Sequence, residues 1–128
     1  MKALYLLLLL LFSSISIAQT TTWDGSSWSN GVPNNSTDAI ITGNYDTSIN
    51  GDFTAKNLSV SISGAMTITS ANSITVQTNI DNLGNFTIED KGSLVMIDDI
   101  GTVFGNYIVK KIHQTIHKWG LPLFFPRQ

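Results

Sequence analysis

The chain has 128 residues, no cysteine, a formal charge of −2 and only 12% charged residues. Without cysteine no disulfide framework can staple it, which excludes the small disulfide-rich secreted class; sparse charge with abundant Ser, Thr, Asn and Gly excludes disorder driven by charge. All nine acids lie between positions 24 and 99, where Lys56 and Lys91 are the only cations, whereas Lys110, Lys111, Lys118 and Arg127 come after them with no acid. An acidic body argues against a nucleic-acid partner, because a phosphate backbone needs a basic surface.

Residues 1–18 read as a secretory signal peptide. Lys2 gives a positive start, residues 4–12 form an apolar run interrupted only by Tyr5, and Ser16-Ile17-Ala18 supplies the small residues of a cleavage site. Cleavage after Ala18 would leave Gln19 as the new N-terminus. The apolar run is far shorter than the ~20 residues that span a bilayer, so no membrane span is expected after cleavage. A lipoprotein signal would need a cysteine. The alternative, a buried N-terminal helix or strand, lacks helical partners downstream. The expected location is outside the cell or on the outer surface of a bacterium.

Residues 19–42 differ in kind from residues 43–109. Trp23 and Trp28 sit in a turn-rich stretch that reaches Pro33. An open first coil needs its edge and apolar face covered, and these tryptophans are large enough to do so. They are also candidate glycan contacts, since an indole face stacks on a sugar ring, although no cluster of polar sugar ligands lies beside them in the sequence.

Residues 43–109 are organised by a repeat. Gly43-Asn44-Tyr45 recurs as Gly64-Ala65-Met66, Gly84-Asn85-Phe86 and Gly105-Asn106-Tyr107, at spacings of 21, 20 and 21 residues. Met66 and Ile68 correspond to Phe86 and Ile88, then to Tyr107 and Val109; Ser73-Ile74-Thr75-Val76 corresponds to Ser93-Leu94-Val95-Met96; Ile80 and Leu83 correspond to Ile100 and Val103. Each cluster alternates apolar with polar, as in Met66-Thr67-Ile68-Thr69, which is the period of a half-buried strand. Asn72, Asn82-Leu83-Gly84 and Asp90-Lys91-Gly92 mark corners. The expected fold is all-β: a short right-handed parallel β-solenoid of about three coils of ~20 residues with a Trp-containing N-terminal cap, stabilised by the interfaces between coils. An antiparallel β-sandwich is the alternative, since its strands alternate in the same way. Residues 43–63 fit the register less well, because the strand Asn57-Leu58-Ser59-Val60 is offset.

The basic tail, residues 110–128, has neither alternation nor turn signals and reads as poorly ordered. His113 and His117 are spaced as metal ligands on a helix would be, but the tail offers no third ligand.

Trp23-Asp24-Gly25-Ser26-Ser27-Trp28-Ser29-Asn30-Gly31-Val32-Pro33, followed by Asp38-Ala39-Ile40-Ile41-Thr42-Gly43-Asn44-Tyr45, resembles the opening of large bacterial surface proteins exported by the type IX route. The resemblance returns at Phe53-Thr54-Ala55-Lys56-Asn57-Leu58-Ser59-Val60 and at Gly92-Ser93-Leu94-Val95-Met96, and covers roughly residues 22–111. It implies an adhesin-like protein that normally continues to a C-terminal sorting domain. The unlike tail suggests a truncated or frame-shifted copy.

No catalytic constellation is legible. There is no cysteine, both histidines lie in the tail, and no serine sits in a nucleophile elbow. Glu89-Asp90 and Asp98-Asp99 come after successive strands; stacked coils could place them within ~5–10 Å as a calcium site or an acid/base pair. A solvated acidic corner is the plainer reading. No cofactor is expected. The function expected is non-enzymatic: a structural or adhesive module meeting surface polysaccharide or another surface protein. The alternative is a fragment of a β-helix polysaccharide-active enzyme or a carbohydrate-binding module, but three coils make a short groove. Ice binding through outward threonines such as Thr67 and Thr69 would need regular ranks, which Thr87 and Val95 do not continue.

Overall fold

The computed structural model describes Lys2 and residues 19–111; the remainder of the expected signal peptide and the tail from residue 112, with His113 and His117, lie outside the described residues. Ten strands and one helical turn succeed one another: β1 (Gln19–Trp23), β2 (Thr37–Ile41), β3 (Asn44–Asp46), α1 (Thr47–Asn50), β4 (Phe53–Val60), β5 (Ala65–Ile68), β6 (Ser73–Asn82), β7 (Asn85–Ile88), β8 (Ser93–Met96), β9 (Val103–Gly105) and β10 (Ile108–Val109). All their pairings are parallel. One sheet runs β1-β2-β4-β6-β8, with β9 beside the second half of β6; the other runs β3-β5-β7-β10. Each strand pairs with its equivalent one coil away, so the chain is a β-solenoid of about five turns.

The coil count exceeds three because rungs begin before the repeat that the sequence makes legible. β1 and β2 pair in register from Gln19↔Thr37 to Trp23↔Ile41. The repeat itself is matched residue for residue in the second sheet: Tyr45↔Met66, Met66↔Phe86 and Ile88↔Val109. Ser73–Val76 stacks on Ser93–Met96 as the periodicity requires. One correspondence is corrected. Ile80 pairs with Val103, not Ile100, because residues 97–102 add a turn that shifts the register. The offset of Asn57-Leu58-Ser59-Val60 also has a cause, a bulge between Ala55 and Asn57 that pairs Leu58 with Ile80.

That bulge breaks the backbone ladder, and amide side chains take its place. Asn57 donates Nδ2 to Asp38 Oδ1 at 2.7 Å and accepts at Oδ1 from Asn79 N at 3.1 Å. Asn79 Oδ1 in turn accepts from Thr102 N at 2.9 Å. Such a ladder satisfies amides that a bulge would otherwise leave unpaired.

Inward side chains stack into a narrow core: Tyr45, Met66 and Phe86 in one row, Ala39, Leu58 and Ile80 in another, Phe53 and Ile74 in a third. Each large aliphatic buried this way contributes about 1.5–3 kcal/mol. Corners must be small where coils touch. A Cβ on Gly43 would fall 2.5 Å from the backbone of Asp24 and Gly25, and one on Gly84 would run into the carbonyls of Gly64 and Ser61. Asn82, buried at the end of β6, donates to the Asn106 carbonyl and accepts from Gly84 N.

Candidate functional site

Trp23 is 6% exposed. It points inward from β1, and its Nε1 donates to the Asn44 carbonyl at 2.9 Å. Its ring centroid lies 5.0 Å from Tyr45 and 5.5 Å from Trp28; Trp28 lies 5.3 Å from Phe53. These four aromatics plug the first coil in tilted and edge-to-face contacts of the kind aromatic quadrupoles favour. Trp23 therefore presents no face to a sugar, which corrects its assignment as a candidate glycan contact. Trp28 is half-buried and spends its ring on the plug.

Burial and the nearby Asp52 charge push the Tyr45 hydroxyl up to about 12. It donates to the carbonyls of Gly51 at 2.9 Å and Asn50 at 3.2 Å.

The carboxylate pairs do not form one site. Glu89 and Asp90 come after β7 in one sheet, whereas Asp98 and Asp99 come after β8 in the other, so they occupy different corners of one coil. Glu89 N bonds to the Ile68 carbonyl and Lys110 N to the Ile88 carbonyl, placing a basic stretch one coil above the Glu89-Asp90 corner. Among the described residues no three of His, Cys, Asp and Glu gather in a way that could hold a metal. Among the described residues the outward threonines form only short ranks, Thr54 with Thr75 on one sheet and Thr67 with Thr87 on the other. The second pair is flanked by Asp46 below and Ile108 above.

A groove opens where residues 32–35 lean toward the outer face of β4 and β6. Val32, Pro33, Asn34 and Asn35 form one wall; Thr54, Thr75 and Gln77 lie across from them with Asp52 and Phe53, around a volume of about 550 Å3. Thr54 and Thr75 are register partners on successive coils. The Asn72 amide donates to Asp52 Oδ1 at 2.8 Å and holds its carboxyl below the usual range, aided by Ser73. Asn34 Oδ1 accepts from Ser36 N and Thr37 Oγ1, and Asn35 Oδ1 from Ser36 Oγ, so each amide keeps its NH2 for another partner. Sequence reasoning missed this groove, because residues 32–35 are one coil from Thr54 and two from Thr75 and Gln77 in the chain; the Asn34-Asn35 pair after Pro33 was its one local signal.

No curated protein and no solved structure matched the chain. The family described as Domain of unknown function (DUF8693) matches residues 16–123. The match runs through most of the basic tail, which speaks against an out-of-frame origin for those residues. With most of its length covered, the chain belongs to the DUF8693 family.

Proposed function

We propose that the chain is an exported, non-enzymatic structural or adhesive module of a bacterial surface, as the resemblance to type IX-exported proteins implies. The observation that carries this reading is the stack itself. Parallel rungs are finished at one end by an aromatic plug, and the other end carries β8 and β9 with no further strand beyond them among the described residues. Such a rod displays fixed outward rows at regular spacing, which suits repeated contact with a polymer or a neighbouring surface protein.

Two readouts test the proposal. Expressed at full length in a bacterial host, the chain is expected outside the cytoplasm with Gln19 as its N-terminal residue by mass spectrometry. Incubated with insoluble polysaccharide, it should be retained without releasing reducing ends. A cell-retained, uncleaved chain would contradict export, and released reducing ends would favour the enzymatic alternative.

A further inference from the structure

The groove beside residues 32–35 falls within the roughly 300–1,000 Å3 range of small-molecule sites. Its polar groups are mixed in kind. An ionised carboxylate has about four lone-pair sites, and Asp52 uses one for the Asn72 amide and another for the Ser73 hydroxyl. The Asn35 amide offers its NH2, Thr54 and Thr75 offer hydroxyls that donate or accept, and Gln77 offers both functions. Val32, 63% exposed, adds an apolar surface on the same wall.

We infer that this groove binds a neutral oligosaccharide, and that the adhesive contact of the module is made here; the inference rests on the reading proposed above. Sugar hydroxyls donate and accept together, and only a lining with both kinds of partner satisfies them without leaving a buried polar group unpaired. The C–H face of a pyranose suits Val32 and Pro33. No lysine or arginine lines the groove, so Asp52 disfavours uronates, sialates and phosphates. A wholly apolar ligand would strand the polar lining. Thr54 and Thr75 are held at the strand spacing of about 4.8 Å by ladder pairing, which lowers the ordering cost of binding.

Isothermal titration calorimetry on the full chain tests this with cellohexaose, xylohexaose and mannohexaose as neutral probes and hexagalacturonate as the anionic one. Saturable binding of at least one neutral probe is expected, with none for the anion. The double variant Thr75→Val, Gln77→Ala should weaken binding about tenfold, the effect of losing two hydrogen bonds. Thr67→Val, on the other sheet, should leave it unchanged. If the double variant melts early, Asn35→Asp, which keeps the acceptor and removes the donor, should weaken binding several-fold. No saturable heat with any neutral probe, tighter binding of the anion, or unaltered affinity in the groove variants would overturn the inference. Silent titrations leave export and retention as they were, and a failure of export leaves these heats as they were, so the two readings fail separately.

Discussion

At the N-terminal end of the solenoid the outer edge of β1 is covered by the chain folding back on itself. Trp28 bridges Trp23 in antiparallel fashion, Ser29 N donates to the Thr22 carbonyl at 2.9 Å, Thr22 N donates to Ser29 Oγ, and Asn30 Nδ2 donates to the Thr20 carbonyl at 2.7 Å. Inward-facing Thr21 donates to the Gly31 carbonyl, so even its polar side chain is spent on the seal. At the other end the same strand geometry stops without such a device among the described residues. Of the eleven exposed large hydrophobics among the described residues, seven, Val95, Ile97, Ile100, Val103, Phe104, Ile108 and Val109, belong to this last coil. Strand pairing alone does not finish a solenoid. A sealed edge takes a loop of the right length with donors at the right rungs, and an unsealed one leaves its core rows half-exposed.

The largest test of that contrast is truncation of one aromatic at each end. Trp23→Ala should cost about 3–5 kcal/mol in urea unfolding, while Phe104→Ala at the open end should stay within about 0.5 kcal/mol. Equal costs would break the comparison. Gly84→Ala forces a Cβ against the coil below and should cost about 1–3 kcal/mol or more wherever the end effects lie. Asn30→Ala removes one bond of the seal and should cost about 1 kcal/mol.

Titration sharpens the contrast from another side. The folded-state pKa of Tyr45 is raised, so its contribution is present below pH 10 and is lost as pH rises from about 10 to 12; Tyr45→Phe should flatten the alkaline limb of the melting curve. Asp24, within the fold-back, is shifted the opposite way by the Ser27 and Ser26 amides. Its contribution is lost as pH falls below 3.8, so acid should loosen the sealed end, and Asp24→Asn should remove part of that dependence. The smallest effect concerns two corners. Ala71 and Lys91 adopt φ of 66° and 64° at equivalent corners of successive coils. A left-handed residue costs about 1–2 kcal/mol, and glycine gives back about 0.4–1 kcal/mol through the unfolded chain. Ala71→Gly and Lys91→Gly should each raise stability by several tenths of a kcal/mol.

The middle of the molecule was legible because two periods coincide there: alternation within each strand, and a return near every twentieth residue that puts Met66 over Tyr45 and Phe86 over Met66. The first rungs were not. Thr-rich β1 lacks aliphatic alternation, and the loop between Trp23 and Thr37 breaks the coil period, so two paired strands read as a cap. Trp28 was legible as a cover, whereas Trp23 was not legible as core. The mispairing of Ile80 arose where residues 97–102 insert a turn whose Ile97 and Ile100 mimic strand positions in the pattern. The groove depends on where that first loop lies against strands a coil away, which local pattern does not encode.

Native-state amide hydrogen exchange on the full chain tests the contrast between the ends most directly, since protection reports local opening free energy along the stack. Slow exchange is predicted at Ala39, Ile41 and Leu58, beneath the sealed end, with protection falling through β6 to the lowest values in β8, β9 and β10. Uniform protection along the coils, or slower exchange at Val103 and Val109 than at Ala39, would contradict it.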